Sequence, residues 1–193
     1  DMLFFTGSTD VGLEVNETAA RNLIPAVMEL GGKDSMVVTA NADLERAAHA
    51  AVWGSFFNSG QTCIGVEFCF VEKSVYPEFL DKVKSITETI ESGTLNGQLG
   101  SMTMESQLKI VEDQIADAVS KGARVEIGGE RRNNGNGLFF SPTVITGVNE
   151  EMDLWKNETF GPLLPVIPFD SREEAIRMAN STEFGLSGSV FSN

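Results

Sequence analysis

The chain has 193 residues, 41% hydrophobic and 22% charged, which is enough for a sizeable domain with its own core and an ordinary globular composition. Its 28 acids against 14 bases leave a net charge of −14, and such a molecule repels nucleic acid and anionic lipid. No run approaches the roughly 18 apolar residues needed to cross a bilayer, so neither nucleic acid nor membrane is expected as a partner.

The opening "DMLFFTGSTD" has no basic stretch followed by a small-residue cleavage site, so a cytoplasmic location is expected. It reads as a strand already in progress over residues 2 to 6, and the abrupt close "FGLSGSVFSN" reads the same way, so a fragment is expected. Residues 9 to 22 read as a helix with Ala19, Ala20 and Leu23 inward, and "PAVMEL" as a strand ending at Gly31-Gly32. "SMVVTA" is the next strand, and Asn41 or Asp43 can cap the helix that follows through Ala47, Ala48 and Ala51. That helix leads to Cys63.

Beyond it "VEFCFVEK" alternates as a half-buried strand, with Val66, Phe68 and Phe70 on one face and Glu67, Cys69 and Val71 on the other. Cys69 is then a packing residue. Helices follow at about 76 to 91 and 104 to 121, the second with Leu108, Val111, Ile115, Ala118 and Val119 at helical spacing. "ARVEIGG" and "FFSPTVIT" are strands around the turn-rich surface loop "ERRNNGNG". "GPLLPVIPF" is extended, "SREEAIRMANS" is a capped helix, and "LSGSVFS" is a last strand. Strands alternating with helices predict an α/β fold with a mostly parallel sheet flanked by helices.

Several short segments could carry chemistry. "GSTDVG" at Gly7 to Gly12 half-matches a phosphate loop, but Leu13-Glu14 follow where a nucleoside triphosphatase needs Lys-Ser/Thr. What is left is a strand, a Gly-Ser-Thr turn and a helix start, whose free N–H groups suit either an ordinary cap or a phosphate. Glu29 in "MELGGK" is either a solvated carboxylate or a base beside two glycines. Cys63 in "FNSGQTCIG" is either an inert core thiol or a nucleophile whose own N–H can hold an oxyanion. A Cys/His protease would need His49 as its base, and that residue sits in an alanine-rich helix where a structural role fits better. Cys63, Cys69 and His49 match neither a zinc spacing nor a disulfide framework, so no metal is expected.

Taken together, "FTGS" at Phe5 to Ser8, "ELGGK" at Glu29 to Lys33, "FNSGQTC" at Phe57 to Cys63, "ETFGP" at Glu158 to Pro162 and "FGLSGSVF" at Phe184 to Phe191 resemble the aldehyde dehydrogenase superfamily. The likeness covers the whole chain, and "GKDSMVV" with "SGQTCIGVE" is most similar to bacterial succinate-semialdehyde-like and broad-specificity members. It implies an NAD- or NADP-dependent oxidation of an aldehyde to a carboxylic acid. Cys63 would be the nucleophile, passing through a thiohemiacetal and a thioester, and Glu29 the base for the hydrolytic water. Gly7 and Ser8 would face the cofactor pyrophosphate, Glu158 its ribose and Phe160 its nicotinamide, with Gly31 giving base and cofactor room to shift.

The resemblance also implies a division into residues 1–31, the last βαβ piece of a dinucleotide-binding domain, and 32–193, a catalytic domain truncated at its C-terminus. A homo-oligomer is implied for the full-length protein. The family's oxyanion asparagine and ribose lysine precede "FTGS", so the 193-residue piece alone is expected to be inactive and to self-associate or be marginally stable. Asn157 stands where many relatives have a second glutamate before Glu158. The alternative reading is a truncated, non-catalytic structural or interaction module derived from the same fold.

Overall fold

The computed structural model describes residues 1–93, 97–132 and 137–193. Strand β1 (Leu3–Thr6), helix α1 (Thr9–Arg21) and strand β2 (Ala26–Glu29) form a βαβ step, with Leu3 opposite Ala26 and Thr6 opposite Glu29 in parallel register. Ser8 caps α1, its hydroxyl accepting from the Val11 N–H, and this removes one of the unpaired donors of the first turn. The helix stops at Arg21, two residues before the chain takes a left-handed turn at Leu23 (φ 55°). Leu23 is therefore 93% exposed and Ala20 is also exposed, against the expectation of an inward pair; Ala19 alone of the three is buried.

The remaining elements are β3 (Asp34–Val38), α2 (Leu44–Phe56), β4 (Val66–Glu72), α3 (Tyr76–Glu88), α4 (Glu105–Ser120), β5 (Arg124–Ile127), β6 (Arg131–Arg132), β7 (Phe139–Phe140), β8 (Thr143–Thr146), α5 (Asp153–Lys156), β9 (Leu163–Phe169), α6 (Arg172–Ala179) and β10 (Gly188–Phe191). Six of these strands form one sheet in the order β10-β3-β4-β9-β8-β5, parallel throughout except for the antiparallel β5–β8 edge. The β1–β2 pair is a separate sheet, and β6–β7 is a small antiparallel ribbon. The predicted loop around residues 130 to 137 falls partly outside the described residues. Among the described residues no helix is long and apolar enough to cross a membrane.

Two apolar clusters flank the large sheet. On one face Phe68 and Phe70 of β4 meet Leu108, Val111 and Ile115 of α4 and Trp155 of α5. On the other, Cys69 and Val71 meet Ala47, Ala48 and Ala51 of α2 and Phe79 and Val83 of α3. The period-2 alternation of β4 is real, but both of its faces are covered because it lies between β3 and β9, so the half-buried reading is corrected to a central strand. Each large apolar side chain fully buried there stabilises the fold by about 1.5–3 kcal/mol. In α4 the stripe holds for Leu108, Val111, Ile115 and Ala118, whereas Val119 is exposed. Asp43, not Asn41, caps α2 by accepting from the Arg46 N–H.

Candidate active site

The strand end of β2 brings the first candidates together. Gly7 N–H donates to the Glu29 carbonyl at 3.1 Å, so the turn that opens α1 is fastened to the main chain of Glu29. The Glu29 side chain is exposed and makes no hydrogen bond or ion pair among the described residues. From it the chain runs through Leu30, Gly31, Gly32 and Lys33 into β3, crossing from the small sheet to the large one.

That crossing is tightly lined. The Gly32 N–H donates to Glu158 Oε1 at 3.0 Å. A Cβ on Gly31 would collide with the same Glu158 carboxylate, and a Cβ on Gly32 would collide with the main-chain oxygen of Cys63. The two glycines thus let the thiol loop and the Glu158 carboxylate approach the 31–32 backbone from two sides. Glu158 is half-buried, and burial holds its carboxyl above the ordinary carboxylate range, with the Glu67 charge adding to this and the Gly32 N–H and Lys33 opposing it.

The thiol loop follows α2. Helix α2 ends at Phe56, and Asn58, Ser59 and Gly60 take three consecutive left-handed conformations (φ 54°, 59° and 71°). Such a run is costly for Ser59 and is held by specific bonds. Asn58 Nδ2 donates to the Gln61 carbonyl at 2.9 Å, Gln61 Nε2 donates back to the Asn58 carbonyl at 3.1 Å, and Ser59 Oγ donates to the Gly100 carbonyl at 2.8 Å. Gln61 Oε1 accepts from both the N–H and the hydroxyl of Thr103 at 2.9 and 2.8 Å. Cys63, half-buried, follows this locked turn as a central residue of the Thr62–Gly65 turn that leads into β4. Its N–H has no acceptor among the described residues.

Behind the loop lies an ion pair that is absent from the sequence reading. Lys33 Nζ, whose side chain is 0% exposed, donates to Glu67 Oε2 at 2.7 Å, reaches Thr159 Oγ1 at 3.3 Å, and lies 5.0 Å from the Phe68 ring centroid. The Glu67 carboxylate also accepts from Thr159 N–H at 3.1 and 3.2 Å and from Phe160 N–H at 3.0 Å. Two glutamines of α4 satisfy the other side of that segment, Gln107 donating to the Thr159 carbonyl at 2.7 Å and Gln114 to the Glu158 carbonyl at 3.1 Å. Phe160 takes the left-handed conformation (φ 47°) that turns the chain toward Pro162.

Of the expected site residues, Gly7 is thus fastened to the Glu29 main chain, Ser8 caps α1, Gly31 lies against the Glu158 carboxylate and Gly32 against the Cys63 main chain, with Phe160 two residues after Glu158. Lys33, Glu67, Gln107 and Gln114 were missed. A lysine directly after a glycine pair and a glutamate inside an apolar strand were the signals available for the first two; the glutamines carried none. His49 is exposed and faces Glu45 at 3.4 Å, so it pairs within its own helix. Cys69 is fully buried in β4 and burial pushes its thiol well up. Among the described residues no group of three or more His, Cys, Asp or Glu side chains is placed to hold a metal ion.

A largely parallel α/β sheet with a thiol loop at the foot of its central strand and a carboxylate across a glycine pair defines a known class of fold. The aldehyde dehydrogenase family model matches residues 1–193, and the chain belongs to this family. A Mycobacterium ulcerans protein named "Putative succinate-semialdehyde dehydrogenase (NADP(+)) 2" is 43% identical over 194 residues, which covers 99% of this chain and 38% of that protein. The "4,4'-diapolycopene aldehyde oxidase" of a Methylomonas species is 42% identical over 193 residues, covering 100% of this chain and 36% of that protein. The crystal structure of an NAD-dependent aldehyde dehydrogenase from Sinorhizobium meliloti superposes with a TM-score of 0.97 at 37% identity, over 100% of this chain and 39% of the other. The chain thus spans well under half the length of the curated relatives it matches.

Proposed function

We propose that the chain is the catalytic part of an NAD(P)-dependent aldehyde dehydrogenase, with residues 1–31 closing a dinucleotide-binding domain and 32–193 belonging to the catalytic domain. The observation that carries this reading is the contact of the Gly31–Gly32 backbone with both the Glu158 carboxylate and the Cys63 main chain. It brings the "ELGGK", "GQTC" and "ETFGP" segments to a single point.

In this reading the Cys63 thiolate attacks the aldehyde carbonyl carbon, forming a C–S bond and an oxyanion. The uncommitted Cys63 N–H is a donor for that oxyanion. Loss of hydride from the carbon leaves a thioester on Cys63. Glu29, exposed and unpaired, takes a proton from the water that attacks the thioester carbon; the C–S bond then breaks, giving the acid and returning the thiolate. The Gly31–Gly32 link lets the Glu29 end of the segment shift between steps.

The residues present fit a dinucleotide. Glu158 Oε1 is taken by Gly32, while Oε2 has no donor among the described residues, which suits a ribose hydroxyl. The Ser8-capped start of α1, bonded through Gly7 to Glu29, suits a phosphate, and Phe160, two residues after Glu158, suits the nicotinamide. When bound, the nicotinamide supplies the hydride acceptor. A cytoplasmic homo-oligomer completes the reading, and the name of the mycobacterial relative makes succinate semialdehyde the first aldehyde to try. The deciding test is Cys63→Ala in the protein as it occurs, assayed with an aldehyde panel and with both NAD and NADP. Turnover should be abolished with the fold intact, and retention of even about a tenth of the parent rate would remove the assignment.

A further inference from the structure

We propose that Lys33 and Glu67 are positioning residues for the dinucleotide, acting through the main chain of Thr159 and Phe160. Neither side chain lies at the surface, and neither is needed for the chemistry assigned above; the proposal rests on that assignment only for the role of Glu158.

Three facts carry it. First, Glu67 is the acceptor for two consecutive N–H groups, Thr159 at 3.1 and 3.2 Å and Phe160 at 3.0 Å. Those N–H groups belong to the two residues directly after Glu158. Second, the three partners come from the three site segments: Lys33 ends the glycine-pair segment, Glu67 lies four residues after Cys63 on β4, and Thr159 follows Glu158. Third, the charges are buried, with the Lys33 side chain 0% and the Glu67 side chain 7% exposed. A buried ion pair is a poor source of net stability compared with an apolar pair of similar volume, so its presence calls for a reason other than fold stability. The geometry supplies one. The Glu67 carboxylate fixes the 159–160 backbone in its left-handed turn at Phe160, and Lys33, bonded to Glu67 Oε2, holds that carboxylate in place. The Gln107 and Gln114 amides hold the carbonyls of the same segment, so Glu158 meets Gly31 and Gly32 from a backbone clamped on both sides.

The test compares two double variants in the protein as it occurs. Lys33→Met with Glu67→Met removes charge and acceptor together; Lys33→Met with Glu67→Gln removes the charge and keeps an amide oxygen facing the Thr159 and Phe160 N–H groups. Both should fold, because the pair is replaced without leaving a lone buried charge. The Met pair should raise KM for NAD or NADP by about tenfold or more, the scale expected for two N–H groups losing their acceptor, with kcat changed far less and iodoacetamide labelling of Cys63 at the parent rate. The Met/Gln pair should restore KM to within about threefold of the parent, because the acceptor is back. Parent-like KM in the Met pair, or an equal loss in both pairs, overturns the proposal. Where the Met pair does not fold, amide hydrogen exchange of the parent decides: protection at Thr159 and Phe160 equal to that of the β4 amides supports the clamp, and loop-like exchange overturns it. Cys63→Ala separates the two readings. A dead Cys63→Ala with parent-like KM in both double variants removes the positioning role and leaves the enzyme assignment standing, whereas an active Cys63→Ala removes the enzyme assignment itself.

Discussion

Gly32 lies so close to Cys63 that a Cβ at position 32 would overlap the cysteine's main-chain oxygen. Neither partner can yield easily, because both are backbone. At Gly31 the obstacle is different, the end of the Glu158 side chain, which can swing away.

The two glycines should therefore respond differently to alanine. Gly32→Ala should cost about 1–3 kcal/mol of stability, the usual range for overpacking a filled site, and should alter the labelling rate of Cys63. Gly31→Ala should cost less stability but weaken dinucleotide binding by displacing Glu158. Denaturant titration and cofactor titration of both variants check this, and identical behaviour of the two would contradict the distinction between backbone and side-chain obstacles.

Glu29→Gln keeps the size of the side chain but removes the base. A single-turnover burst of reduced cofactor should persist while steady-state turnover collapses, since Glu29 is assigned to thioester hydrolysis and not to attack on the aldehyde. Stopped-flow absorbance of the reduced nicotinamide reads both phases. Steady-state turnover equal to the parent would strip Glu29 of the role.

The two thiols should separate cleanly under iodoacetamide. Cys63 is half-buried in the loop before β4, whereas Cys69 is fully buried and its thiol is pushed well up by desolvation. Mass spectrometry should find Cys63 alkylated first and Cys69 only after denaturant is added. Faster reaction at Cys69 would mean that β4 opens more readily than the loop before it.

Glu126 offers a pH test outside the site. Its carboxylate accepts from Arg124 at 2.7 Å, Thr146 at 2.9 Å and Lys84 at 3.3 Å, tying α3 to the β5–β8 edge. Burial pushes its pKa up, but the bonds from Thr146, Arg124 and Lys84 outweigh this and hold it below the ordinary 4.5. A depressed carboxylate stabilises the fold above its unfolded pKa, and that contribution is lost as pH falls through the folded value. Glu126→Gln should thus lower the melting temperature at pH 7, and the gap to the parent should close as pH drops below about 4.5. A gap of constant size from pH 7 to pH 3 would rule the ionic part out.

Much of this architecture is legible in the sequence because local rules and tertiary packing agree. The capping positions Ser8 and Ser171, the alanine stripe of α2 and the strand–helix alternation all name their own elements. The packing role of Cys69 follows from alternation alone. What is not legible depends on neighbours distant in sequence. Alternation in β4 cannot say whether one face or both are covered; that follows from its place between β3 and β9. The Lys33–Glu67 pair depends on how β3 and β4 align, with Asp34 opposite Val66, so the sequence alone does not bring together two charges 34 positions apart. Leu23 fails for a local reason: the left-handed turn that ends α1 swings it outward although it keeps helical spacing. The site segments were found through family resemblance, while the bonds that hold them in place were not.

The left-handed turn before Cys63 also has a consequence for the order in which the chain takes shape during synthesis. Gly60 is pressed against the main chain of Gly161, and Ser55 at the end of α2 donates to the Leu163 carbonyl at 3.2 Å. Both partners lie about a hundred positions later in the chain. While a ribosome is still adding the residues between, α2 can coil, its alanines can find β3, and the Asn58–Gln61 bonds can form, but the Gly161 main chain that packs on Gly60 is not yet there. The thiol therefore reaches its final setting only after β9 has emerged and docked beside β4. A nascent chain stalled ahead of Gly161 would carry Cys63 in a loop that lacks its Gly161 and Leu163 contacts.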